Sequence, residues 1–306
     1  MSDKSIDVVI PVQNMARMLP EVLTPLISQR AAGDRIVIVD DASTDDTGKV
    51  ATGLGAEVIT LSESKGPYYA RQIAASRSKA DVLLFMDGRC RPLPGLLEAH
   101  RALQREPNTV LSCTGVWTRS GPSLAARVAE LKQPISLHGA VGVPGRPDYF
   151  PTANLGIDRQ AFAAVGGFRA MRSGGDADIC WRIQEQSLGV MGVDRRILME
   201  WEPRSSMQSL ASQFKRYGGS TVYLRWVYGD YSPAPFGLNE SMIARIKSEL
   251  NRRRGVRRAT PVEWIARLGI DTAFQLGYIQ AKLRTSQFEP PQAYGLLDAG
   301  NTTKSV

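Results

Sequence analysis

The sequence predicts an α/β protein: a doubly wound, mostly parallel central sheet with helices on both faces, followed by a helical C-terminal extension. Three observations predict it. Short apolar runs rich in β-branched residues recur through residues 1–110. Segments with helical spacing separate them, which is the alternation of a parallel sheet covered on both sides. Acids close two of the runs, Asp40 with Asp41 and Asp87, at the sheet edge where such folds bind ligands.

Residues 6–12 (IDVVIPV) form the first buried run, and polar QN follows. Met18, Leu19, Val22, Leu26 and Ile27 have helical spacing over 15–30, with Pro25 disturbing the middle. RIVIVD (35–40) is a short β-branched strand. Ser43, Thr44 and Asp45 supply start residues for a helix near 45–54. AEVITL (56–61) is the next strand, and a helix runs from GPYYARQ to about residue 79. DVLLFMD (81–87) is a strand and 94–105 a helix. Beyond 110 the alternation changes. Residues 109–118 predict a strand, 121–137 a helix, and GAVGVPGRPDYFPTAN a loop. RQAFAAVGGF is a short helix closed by glycines. Helices follow over 176–189 and 205–228. Residues 238–285 predict two helical stretches around an arginine cluster, and the polar tail beyond about 287 is expected to be loose.

The 306 residues are 43% hydrophobic and 22% charged, enough for a sizeable core and unlike a disordered chain. No apolar run reaches the ~20 residues of a membrane span. The N-terminus has no signal-peptide pattern. Cys90, Cys113 and Cys180 are scattered, without disulfide or zinc spacing. A cytoplasmic protein is expected. With only His100 and His138, mechanisms needing several histidines are disfavoured. The net charge is +8, and five arginines fall within NRRRGVRR (251–258). That cluster is either a solvated loop or an attraction to phosphates. It would allow peripheral contact with the anionic inner face of a membrane, but no nucleic-acid module accompanies it.

In chain order stand VVIPVQN, IVIVDDASTDDT, GPYYARQ, LLFMDGRCRP, NLGIDRQAFAAVGGF, SGGDADICWRI and QFKRYGG. Together they resemble the inverting glycosyltransferases of family 2, which have the GT-A fold. The resemblance covers residues 6 to about 220. It implies a nucleotide-sugar-binding half over 1–110, an acceptor-binding and catalytic-base half over 111–230, and a basic helical extension over 231–306. It implies transfer of a single sugar from a nucleoside diphosphate sugar, with a UDP-sugar favoured. The acceptor bears a hydroxyl and is a glycan, a lipid-linked group, a peptide or a small metabolite. A non-catalytic nucleotide-sugar binder and a basic nucleic-acid or anionic-surface binder are the alternatives. The sequence sets neither the sugar, the acceptor nor the oligomeric state.

By that resemblance Asp41 binds the base, with Pro11, Val12 and Asp40 nearby, and Asp41 could also cap the next helix. A carboxylate accepts hydrogen bonds from a base N–H and from ribose hydroxyls. Arg71 braces the nucleotide pocket or pairs with Asp87. Lys65 is either a phosphate contact or a surface lysine. Asp176 is the general base that deprotonates the acceptor, and Asp178 stands beside it; Gly175 replaces the Glu usual in the family. At a helix start, Asp176 is expected to be anionic but not strongly basic. Gln213 and Arg216, in QFKRYGG, are expected at the diphosphate or acceptor.

Where the family usually has Asp-x-Asp, this chain has Asp87-Gly88-Arg89. A late metal-binding histidine is missing as well, from MEWEPRSS. Two alternatives follow. Arg89, with Arg91 or Arg216, neutralises the diphosphate without a metal; or Mg2+ or Mn2+ is held loosely by Asp87, Glu202 and the phosphates. Metal ligation by Asp87 and Glu202 and metal-independent catalysis both stay open at this point.

Overall fold

The computed structural model describes residues 3–231 and 257–295. Eight strands form one sheet: β1 (Ile6–Val12), β2 (Arg35–Asp40), β3 (Glu57–Thr60), β4 (Val82–Met86), β5 (Cys90–Pro92), β6 (Thr109–Thr118), β7 (Asn154–Asp158) and β8 (Val190–Trp201). Their order is β3-β2-β1-β4-β7-β6-β8-β5. Strands β1 to β4 are parallel. β7 runs antiparallel to both β4 and β6, and β8 runs parallel to β6. β1, β2 and β4 are buried along almost their whole length, as strands covered on both faces must be.

Around the sheet lie α1 (Leu19–Ile27), α2 (Thr47–Gly53), α3 (Pro67–Ser76), α4 (Leu96–Arg105), α5 (Leu124–Lys132), α6 (Arg159–Ala164), α7 (Gly175–Glu185), α8 (Met207–Tyr228) and α9 (Pro261–Lys282). α1 continues through Pro25, at the loss of one backbone donor. β1 has β2 on one side and β4 on the other. A crevice opens at such a switch point, beyond the carboxyl ends of the strands. Val12, Asp40 and Met86 end the three strands there.

Three strands differ from the sequence reading. β5 is a three-residue strand pairing with the end of β8, and its proline hid it. β7 lies inside NLGID, a Gly-containing stretch too short to show a period. β8 carries the charged run Asp194, Arg195, Arg196 mid-strand, where the sheet edge is exposed, so its apolar pattern is broken. The tail corrects another expectation. Ala170 donates to Gln292 O at 2.7 Å and Tyr294 N to Phe168 O at 3.0 Å, so the chain is fastened as far as Gly295. Gln72 completes the fastening by donating to Gly295 O at 2.6 Å. Of the two helical stretches predicted over 238–285, α9 is the second; the first lies outside the described residues. Among those residues, no helix is long and apolar enough to cross a membrane.

α9 starts at a capping box formed by Thr260 and Glu263. It then crosses α8 with backbones in contact. A Cβ at Gly277 would sit 1.8 Å from Lys215 O, and one at Gly218 would sit 2.0 Å from Phe274 O. Only glycine fits at that crossing.

Candidate active site

The start of α3 is the hub of the site. Asp41, just past β2, accepts from Ser64 Oγ and Lys65 N, both at 2.8 Å, and from Gly66 N at 3.1 Å. Its carboxylate therefore fixes the turn that launches α3 rather than capping α2. Asp40 does the local work on its own side, accepting from Ser43 N at 2.9 Å. Arg71, one turn into α3, is almost fully buried and pairs with Asp87. Tyr68, between them, points its hydroxyl at Asp176 Oδ1, 3.4 Å away. One short helical segment thus touches Asp41, Asp87 and Asp176, residues far apart in the chain.

Pro11 and Val12 end β1 beside this hub, and Val12 O accepts from Asp41 N at 2.8 Å. Gly88 is fixed by crowding, since a Cβ there would lie 2.6 Å from Met15 Sδ and 3.0 Å from Val12 Cγ1. Lys65 Nζ meets the exposed Glu63 at 2.5 Å, and its backbone rather than its ammonium serves Asp41.

The cationic residues divide sharply. Arg91 is buried and held on both sides, by Glu21 at 2.7 Å and Glu202 at 2.8 Å. It is thus withdrawn from the role of phosphate ligand, and Glu202 is committed to it. Glu200 faces Arg119 at 3.5 Å. Arg89 is half-buried, with one long contact to Pro203 O at 3.5 Å. Arg216 is half-buried on α8, beside Tyr217.

Asp176 opens α7. It is half-buried, but the protein packed around it makes loss of solvation the largest influence, raising its pKa above the ordinary carboxylate value. This corrects the expectation of a weakly basic acid: the helix-start amide of Ala177 and Arg71 pull the other way and do not win. Burial, with the charge of Asp176 adding to it, raises the phenols of Tyr68, Tyr149 and Tyr217, Tyr149 to about 12. Gln213 donates to Tyr217 Oη at 2.7 Å, and its own Oε1 is buried without a partner. His100 is no competitor for the role of base. Buried between Ser112 and Asn154, it is pushed down to about 4.

Asp178, two residues further along α7, is fully buried. Arg182, Arg169 and the Tyr228 hydroxyl take its oxygens at 2.8, 3.1 and 2.6 Å. Arg182 also donates to Val165 O and Gly167 O, both at 2.6 Å. Asp178 thereby ties α7 to the glycine turn after α6, and faces inward rather than toward a substrate.

The sequence did not reveal what replaces the missing glutamate. A Cβ at Gly175 would stand 2.9–3.1 Å from the Tyr68 ring, so the ring occupies that space. The unexplained glycine was the available signal. Gly175→Glu is expected to destabilise the fold by about 1–3 kcal/mol, the usual cost of overpacking. Chemical denaturation checks this, and an unchanged midpoint would remove Tyr68 from the role.

The comparisons with known proteins agree with this geometry. The model of "Glycosyl transferase family 2" matches residues 7–179, and the chain belongs to that family. It is 30% identical over 234 residues to a pre-mycofactocin glycosyltransferase of Mycobacterium tuberculosis, a match covering 73% of this chain and 48% of the relative. The chain thus spans about half the length of that curated relative. The fold is similar to the mannosyltransferase PcManGT of Pyrobaculum calidifontis, solved with GDP-Man and Mn2+ (TM-score 0.57, 14% identity, covering 94% of this chain and 80% of that one). It is also similar to glucosyl-3-phosphoglycerate synthase of M. tuberculosis, solved with Mg2+ and UDP (TM-score 0.55, 16% identity, covering 72% and 78%). These similarities show the GT-A fold.

Proposed function

We propose that this chain transfers one sugar from a nucleoside diphosphate sugar, with UDP-sugars favoured, to a hydroxyl acceptor with inversion. The observation that carries the reading is the hub at the start of α3, which joins Asp41, Asp87 and Asp176. Residues 1–110 hold the donor and residues 111–230 supply the base and the acceptor face. Asp41 and its loop receive the base and ribose. The acceptor oxygen attacks the anomeric carbon, the bond from that carbon to the phosphate oxygen breaks, and the electron pair leaves on the diphosphate. Asp176 takes the acceptor's proton. Its raised pKa strengthens it as a base once it is ionised. No protein nucleophile is required.

The donor set supports a reading without a protein-held cation. Among the described residues, no three His, Cys, Asp or Glu side chains are grouped to hold a metal. Asp87 is ion-paired with Arg71 and Glu202 with Arg91. Arg89 occupies the place of a second acid. We therefore assign neutralisation of the leaving diphosphate to Arg89, as fixed guanidinium groups do for phosphoryl charge.

A thermal-shift series of nucleoside diphosphates and their sugars, in chelator, tests the donor half. A ligand at about 100 times its Kd adds about 2.7 kcal/mol of stability. A raised midpoint with UDP or a UDP-sugar is expected; no shift with any nucleoside diphosphate would contradict the reading.

A further inference from the structure

The side of α9 turned away from the protein is apolar from end to end. Val262, Ile265, Leu268, Leu276, Ile279 and Leu283 lie along it, each at least half exposed, with Ile265 at 70% and Leu283 at 79%. Gly269 and Thr272 fill the middle of the same stripe, and no charged residue interrupts it. The opposite side is already spent. Ile270, Phe274 and Gly277 pack on α8 and α5. A helix that is apolar on both sides needs cover on both.

Two features decide what covers it. Both ends of α9 carry cations: Arg258 precedes it, next to an Arg257 already paired with Glu130 and Glu263, and Lys282 and Arg284 close it. A second copy pairing along the stripe would set like charges together in either orientation, parallel or antiparallel. The centre of the stripe, Gly269 and Thr272, also gives a paired helix poor knobs for its holes. A flat anionic layer accepts both the broad apolar face and the cations at its ends.

We infer that α9 is a membrane-surface helix, lying in the headgroup region of an anionic bilayer with its 262–283 stripe inserted and with Arg258, Lys282 and Arg284 on lipid phosphates. It would hold the enzyme flat on the membrane through α8, the helix that carries Gln213, Arg216 and Tyr217. The inference is independent of the proposed reaction, because a binding-only protein would dock in the same way.

Flotation of the full chain with vesicles tests it. Vesicles of phosphatidylcholine with an equal share of phosphatidylglycerol should carry the protein at low salt, and vesicles of phosphatidylcholine alone should carry far less. Binding should weaken at high salt. The triple variant Ile265→Gln, Leu276→Gln, Ile279→Gln should lower the bound-to-free ratio at least about tenfold, since one buried large apolar side chain is worth that much. Its circular dichroism and its stabilisation by UDP should match the wild type. Three results would overturn the inference. They are no binding to the anionic vesicles, equal binding by the triple variant, and a wild-type dimer in sedimentation that the triple substitution converts to monomer while wild-type protein ignores vesicles.

Discussion

Asp176→Asn is expected to reduce turnover by at least about 10²-fold, the lower end for loss of a positioned general base. The fold should survive. Burial raises the Asp176 pKa, so its protonated form is favoured in the folded state, and its ionisation as pH rises opposes stability. The neutral amide removes that opposition, so the variant should melt at or above the wild-type temperature. The same shift sets a pH profile. The base form is lost as pH falls through a value above the ordinary carboxylate range, so the acid limb of kcat/KM should lie higher than for a solvated aspartate. Near-normal turnover in Asp176→Asn would take the residue out of the role. A fall in turnover together with a collapse of the melting temperature would make it structural instead.

Arg89→Met is the second large effect. If this guanidinium carries the charge of the leaving diphosphate, its loss should cost about 10²–10³ in kcat, the range for removing one preorganised charge-stabilising donor. Arg89→Lys should recover only part, because an ammonium cannot offer the planar fork that two phosphate oxygens accept. Arg91→Met is the contrast. Arg91 is bound between Glu21 and Glu202, so its loss should lower stability more than it lowers kcat at permissive temperature. In EDTA the wild-type protein should keep its rate, and added Mn2+ should not raise it. Activity that disappears in EDTA and returns with Mn2+ would exclude the arginine account.

The parallel half of the fold was legible because each strand is a continuous apolar run and each connection has helical spacing. β5 and β8 were not, since one holds three residues and the other carries charges on an exposed stretch. The tail misled for a related reason. Its attachment runs through backbone groups of Gln292, Tyr294 and Gly295, which composition does not report. At the site, motif spacing identified the acids but not their partners. Asp41 and Asp178 look alike in sequence, yet Asp41 organises the loop that leads into α3 and Asp178 is enclosed by two arginines and a tyrosine. The pKa of Asp176 could not be foreseen either. The helix start was visible in the sequence, whereas the burial that raises the pKa comes from segments distant in the chain, Tyr68 among them.

A crystal structure grown with a UDP-sugar in chelator would place the donor against all three acids at once. One nucleotide in one cleft is expected, with uracil at the Asp41 loop, diphosphate against Arg89, and the anomeric carbon facing Asp176 across a gap for the acceptor. A nucleotide bound elsewhere, or one with its sugar turned away from Asp176, would contradict it.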